Sequence, residues 1–196
     1  MRSEQQGFRS IVETQLHELQ ETVRAVEGKI GIVVEMAEAV VAALRAGRKI
    51  FTAGNGGSAA DALHMAEELV GRYRTNRAPL PALALVADAT ALTCIGNDFG
   101  FDHIFSRQVQ ALGQEGDLLV LFSTSGNSQN LIEAAAAARA KGVKILSLSG
   151  KSGGKLAPVS DLSWIVPSQN TARIQELHTW AMHCILECVE VSFPAA

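Results

Sequence analysis

Five short apolar runs, separated by helical patterns, constrain the fold of this chain more than any other feature. They fall at 49–53 (Lys-Ile-Phe-Thr-Ala), 83–86, 118–122, 143–148 and 162–166. Helical patterns fill the spaces between them, over 58–71, 88–94, 101–112 and 128–141, and a long helix is expected over 171–191. Runs of this kind are covered on both faces, and the intervening helices are the crossovers that parallel strands require. The expected fold class is α/β: a three-layer sandwich with a five-stranded, doubly wound parallel sheet flanked by helices. Residues 79–81, 151–154 and 167–170 are expected loops. No linker or long repeat interrupts the pattern. With 196 residues and 47% hydrophobic content, the chain is expected to form a single domain over 1–196.

Within that domain, 1–47 is expected to be an N-terminal helical extension and 48–196 the α/β core. Val12, Leu16, Leu19, Val23, Val26 and Ile30 recur at spacings of three and four among polar residues. Such a stripe suits either an amphipathic helix lying on its own domain or one packing on the same helix of a partner subunit. A second helix carries Val33, Met36, Ala37, Val40, Val41 and Leu44 on one side and is expected to cap at Gly47.

Charge and composition narrow the partners. The formal net charge is -3 and no basic stripe is visible, which argues against a nucleic-acid surface. No apolar stretch reaches the roughly 18 residues of a membrane span, and the opening residues lack a signal-peptide pattern. Three cysteines, Cys94, Cys184 and Cys188, form no CxxC pair, which suits a reducing compartment. A cytoplasmic, soluble protein is expected.

Two strand ends carry unusual loops. The run at 118–122 leads into Ser123-Thr124-Ser125-Gly126-Asn127-Ser128 and then an alanine-rich helix. Four hydroxyls lie in six residues. Gly126 permits a turn or a close approach, and Ser128 stands where a helix N-cap would be. Free N–H groups and the helix dipole favour an anion there. No lysine follows the glycine, so this is not a P-loop. The first strand end, Gly54-Asn55-Gly56-Gly57-Ser58, is glycine-rich, and Asn55 and Ser58 are suited to bonding sugar hydroxyls. In doubly wound sheets ligands bind beyond the carboxyl ends of the strands. One loop holding a phosphate and the other a carbohydrate is the expected arrangement.

Chemistry-bearing residues follow on the helices. His64 and Glu68, four apart, lie roughly 40° apart on one face and suit a metal or a proton-transfer site. Glu67 is expected to point elsewhere. The last helix offers Gln175, His178 and His183; spacing alone does not choose between the two histidines. Cys184 and Cys188 are expected to be small hydrophobes rather than ligands. Asn97-Asp98-Phe99-Gly100 is expected to be a polar turn, with Asp98 either orienting a sugar hydroxyl or capping the next helix.

The stretches Gly54-Asn55-Gly56-Gly57-Ser58-Ala59-Ala60-Asp61, Glu67-Glu68-Leu69, Gly71-Arg72-Tyr73, Gly96-Asn97-Asp98-Phe99-Gly100-Phe101 and Thr171-Ala172-Arg173-Ile174-Gln175-Glu176-Leu177-His178 resemble those of bacterial phosphoheptose isomerases. Phe105-Ser106-Arg107-Gln108-Val109 and the 123–128 loop match as well, so the resemblance covers nearly the whole chain in order. It implies the sugar-isomerase (SIS) fold, a homotetramer with active sites near subunit contacts, and conversion of sedoheptulose 7-phosphate to an aldose phosphate. It further implies that Ser123, Thr124, Ser125 and Ser128 bind phosphate. Asn55, Gly56, Gly57, Ser58, Asn97, Asp98 and Gln175 would contact the substrate, with Glu68. Glu68 and His183 would be the acid–base pair, and His64, Glu68, Gln175 and His183 would hold one zinc ion per subunit. The resemblance thus selects His183 over His178. An aspartate that some members carry three residues before Gln175 is Ala172 here. A related SIS protein that binds the replication initiator resembles the chain too, but its pattern lacks the Glu68 and His183 equivalents.

Overall fold

A computed structural model describes residues 2–193. Met1 and 194–196, which the expected single domain also included, lie outside the described residues. Helix α1 (Arg2–Val26) leads through a 3-10 turn into α2 (Ile30–Arg45). The core then runs β1 (Ile50–Gly54), α3 (Gly57–Val70), β2 (Ala82–Ala84), α4 (Ala89–Phe99), α5 (Ser106–Leu112), β3 (Leu118–Ser123), α6 (Gln129–Ala140), β4 (Lys144–Gly150), β5 (Leu162–Val166) and α7 (Thr171–Ser192). Every strand pairing is parallel, in the order β2-β1-β3-β4-β5.

Alternation along the strands sorts the core into two layers. Ile50, Leu118, Val120, Phe122, Leu146, Leu148 and Trp164 face α2, α3 and α7. Phe51, Ala53, Leu119, Leu121 and Ile145 face the other way, toward α5 and α6. Strands buried on both faces read as continuous apolar runs, as expected of a parallel sheet. The chain winds from β1 outward to β2, then crosses to β3 on the opposite side. The crevice between the carboxyl ends of β1 and β3 is the topological switch point, and both unusual loops open there.

Several boundaries differ from expectation. α4 does not stop at Cys94 but continues to Phe99, so Asn97 and Asp98 lie in its last turn rather than in a separate loop. Nothing between them breaks a helix until Gly100, whose φ of 89° ends it. Asp98 caps no helix: its carboxylate accepts from the Asn97 side-chain amide at 2.8 Å. The expected helix over 101–112 is a 3-10 turn at Phe101–His103 followed by α5. β2 is a three-residue edge strand. α2 ends as anticipated. The Gly47 N–H donates to Leu44 and the Arg48 N–H to Ala43, the paired bonds of a Schellman cap.

The stripe on α1 is only partly covered by its own domain. Val26 is buried in the core and Leu19 packs against it, but Val12, Leu16, Val23 and Ile30 are exposed, as are Phe8 and Ile11. Among the described residues no helix is long and apolar enough to cross a membrane.

Candidate active site

The phosphate-type loop is held open by its own backbone. At Gly126 φ is 65°, and a Cβ there would collide with the Gly153 carbonyl of the loop after β4. Only glycine fits both constraints. The Gly126 N–H donates to Ser123 Oγ at 3.1 Å and the Asn127 N–H to Ser125 Oγ at 3.1 Å. Both hydroxyls act as acceptors in these bonds, which leaves each O–H free to donate. Ser128 occupies the N-cap position of α6 but makes no side-chain capping bond. The N-terminus of α6 therefore keeps donors to offer an anion.

Asn55 and Asn130 tie the two loops together. Each side-chain amide donates to the other's carbonyl, at 2.9 Å both ways. Asn130, in the first turn of α6, is buried. The Asn55 amide is thus committed mainly to holding the crevice, and its backbone remains available to a sugar. No local pattern in the sequence singles out Asn130.

From the crevice, α3 and α7 run side by side with a polar seam between them. Gly57, Asp61, His64 and Glu68 lie along α3 at spacings of four, three and four, one helical face. Gln175, Thr179 and His183 lie along α7 at spacings of four. The two stripes meet in register. A Cβ on Gly57 would collide with the Gln175 amide, so glycine makes room for it. Thr179 Oγ1 donates to Asp61 Oδ1 at 2.8 Å. The His64 and His183 rings meet edge to face, 5.1 Å between centroids. His64 Nε2 stands 3.3 Å from Glu68 Oε1, and the Tyr73 ring lies 5.9 Å from that of His183.

Glu67 corrects the expectation that it points away. One ligand atom each from His64, Glu67 and Glu68 all lie within 4.8 Å of one another. Glu67 is three residues from His64, near enough on a helix for its flexible side chain to swing in. Two ligands of a tetrahedral zinc ion, each bound at ~2.0–2.1 Å, stand roughly 3.3 Å apart. The His64–Glu68 separation and the imidazole–carboxylate donor set fit such an ion. Gln175 lies farther along the seam, its amide against Gly57, about two helical turns before His183 on α7.

Asp61 was not singled out from the sequence, although it shares the His64 face. Its Oδ2 is buried without a hydrogen-bond partner among the described residues. Burial raises its pKa above the usual carboxylate value; the Thr179 bond and the neighbouring His64 and His183 act in the opposite direction. His178 has a different fate from His183. Five residues rotate it roughly 140° around the helix, into the core beside Phe122 at 6.3 Å between ring centroids. It is fully buried, and burial pushes its pKa down to about 4, opposed by the Ser149 backbone. Cys184 is half-buried and packs against the core as a small hydrophobe, whereas Cys188, expected to be buried too, is exposed because its side of α7 faces solvent.

A SIS domain model matches residues 14–150. The phosphoheptose isomerase of Campylobacter concisus is 47% identical over 186 residues, 95% of this chain and 98% of that protein. The chain belongs to the phosphoheptose isomerase family of SIS domains. The Rhodospirillum rubrum member of the family is 54% identical over 158 residues, 81% of this chain and 84% of its own. The solved phosphoheptose isomerase of Neisseria gonorrhoeae superposes with a TM-score of 0.88 at 42% identity, covering 93% of this chain and 98% of that one. The similarity covers nearly the whole chain, so the fold is that of the phosphoheptose isomerase family.

Proposed function

We propose that this chain is a phosphoheptose isomerase that converts D-sedoheptulose 7-phosphate to D-glycero-D-manno-heptose 7-phosphate through an enediol, the entry step to an activated heptose. Full-length similarity to enzymes of that name carries the reading. The geometry agrees with it: an anion-ready loop and an acid–base cluster open on one crevice. The names of these relatives favour the enzyme over an initiator-binding scaffold or an isomerase of another sugar phosphate.

In this reading Ser123, Thr124, Ser125 and Ser128, with the N-terminus of α6, hold the phosphate. The backbone of Asn55, Gly56, Gly57 and Ser58, with Asn97, Asp98 and Gln175, receives the sugar chain. Glu68 removes a proton from C1 of the ketose as O2 takes one up to give the C1–C2 enediol, and His183 then delivers a proton to C2 as O1 gives up its own, leaving the aldehyde at C1. His64, 3.3 Å from Glu68, orients its carboxylate. His64, Glu68, Gln175 and His183 would hold one Zn2+ per subunit, and a bound zinc would polarise the C1 and C2 oxygens. The His64 side chain is 37% exposed, so the cluster is open on one side within the protomer. The uncovered part of the α1 stripe supports assembly into a homotetramer in which a neighbour closes that side. The free cysteines suit the cytoplasm.

Incubating the purified protein with sedoheptulose 7-phosphate in deuterated water, with and without zinc, and following the products by NMR tests the reading. Heptose 7-phosphate labelled with solvent deuterium at C2 is expected. Recovery of unchanged ketose under both conditions would sink it, and unlabelled aldose would replace the enediol route with direct hydride transfer.

A further inference from the structure

Beyond the acid–base cluster, α3 and α7 are joined once more. Arg77 lies in the loop after α3, its side chain 1% exposed. Its Nη2 donates to the Glu68 carbonyl at 2.7 Å, and its Nη1 to those of Leu69 and Ala78 at 3.0 Å each. The first two are among the last carbonyls of α3, which have no partner within the helix. Arg77 Nε faces Glu190 Oε2 of α7 at 3.3 Å, and the Glu190 side chain is 7% exposed. Glu190 Oε1 also accepts from the Thr75 N–H and hydroxyl, at 2.6 Å each. Burial alone would raise the Glu190 pKa; the Thr75 bonds and the Arg77 charge outweigh it and hold it below the usual carboxylate range.

The placement of these groups is specific. Glu190 follows His183 by seven residues, two helical turns, and so leaves α7 on the same face. Arg77 grips the carbonyl of Glu68 itself. We infer that the Arg77–Glu190 ion pair is a positioning device for the isomerase site, setting the gap between Glu68 on α3 and His183 on α7. The inference rests on the isomerase reading for its kinetic consequence and on geometry alone for its structural one. A buried ion pair is a poor source of net stability, since apolar residues of similar volume do as well. What it adds is direction: one planar guanidinium holds two carbonyls of the last turn of α3 and the Glu190 carboxylate of α7, and so fixes the one against the other. Thr179–Asp61 does the same on the other side of the cluster, so the catalytic groups sit between two polar ties.

The test is Glu190→Gln, which removes the charge but keeps an acceptor for Thr75. Asp117→Asn is its comparator. Asp117 is buried where β3 begins, at the opposite end of the sheet, paired with Lys49 and accepting from the Lys49 and Gln114 N–H groups. In Glu190→Gln, kcat should fall roughly tenfold to a hundredfold, the cost of a small misplacement of reacting groups, with KM changed less than about twofold. The imidazole NMR signals of His64 and His183 should move in the metal-free protein while that of His178 stays. Asp117→Asn should lower the melting temperature and leave both readouts unchanged. Wild-type kcat and unmoved His64 and His183 signals in Glu190→Gln would overturn the inference. Should Glu190→Gln fail to fold, Thr75→Val removes one hydroxyl bond from the same carboxylate. It should shift the same two signals by less, and unmoved signals would again overturn it. An inactive wild-type chain would sink the isomerase reading and leave the imidazole comparison intact.

Discussion

At the residue scale, Glu68 and His183 come from opposite ends of the α/β core and meet through His64, which touches both. Glu68→Gln keeps the size of the side chain and removes the proposed base. Turnover should drop roughly 10²-fold or more, the usual scale of a general-base contribution, while binding of sugar phosphate to the 123–128 loop persists. Steady-state kinetics beside a phosphate-ligand titration checks this, and near-normal kcat would refute the assignment of the base. Asn130→Ala makes a different demand. It strips Asn55 of its partner inside the crevice, so KM should rise several-fold with kcat at saturation nearly unchanged. Loss of the buried pair should also destabilise the fold by about 1–3 kcal/mol, measurable by urea denaturation. His64 and Glu68 were legible from their spacing, since two residues four apart share a helical face. Asp61 was equally legible by that rule and stayed hidden because a lone aspartate on a helix start reads as a surface acid. Thr179, Arg77 and Glu190 had no local signal. Their roles depend on which helix lies opposite, and a one-dimensional pattern does not contain that information.

At the element scale, all five strands end within two residues of their expected places, and in β1, β3 and β4 burial on both faces leaves an unbroken apolar run. β2 is shortened to three residues. At the sheet edge it pairs on one side only, and its register with β1 covers just Ala82, Leu83 and Ala84. The end of α4 was misplaced because Asn97 and Asp98 look like turn formers, yet the turn waits for the positive φ of Gly100. For α1 the stripe was visible but its occupant was not. Within the protomer, Val12 and Leu16 are 66% and 56% exposed, so a charge there meets water and costs the protomer fold little. In an assembly built on this helix, the same charge is buried against apolar neighbours and disrupts it. The double variant Val12→Glu, Leu16→Glu should therefore elute as a smaller species than the wild type while keeping its helical circular dichroism. Light scattering coupled to gel filtration decides the matter; an unchanged mass would move the interface away from α1.

At the scale of the whole molecule, acid sensitivity should be written mainly in one core histidine. His178 is fully buried, and neither ring nitrogen makes a hydrogen bond of good geometry among the described residues; the Ser149 backbone favours the charged ring but does not offset the burial. Its folded pKa, about 4, lies below its unfolded value of 6.5. Above pH 6.5 both states hold the ring neutral, and the group has no effect on pH dependence. Between 6.5 and 4 the unfolded chain takes up a proton that the folded chain refuses, so stability falls as pH falls. At about 1.4 kcal/mol per pKa unit, the limit of that loss is about 3 kcal/mol. Glu190, held low by Thr75 and Arg77, loses stability in the same direction but only at more acidic pH. Asp61, raised by burial, works the other way: its neutral form is preferred in the fold, which favours folding as pH falls. A comparison between wild type and His178→Leu cancels the contributions of Glu190 and Asp61. The variant should match or exceed the wild-type melting temperature at pH 7.5, because an unpaired buried polar ring is gone. Its melting temperature should then decline less between pH 6.5 and 4.5. Parallel declines in the two proteins would mean that His178 titrates normally, and that the core beneath the phosphate loop admits a proton, and with it water, far more readily than its close packing implies.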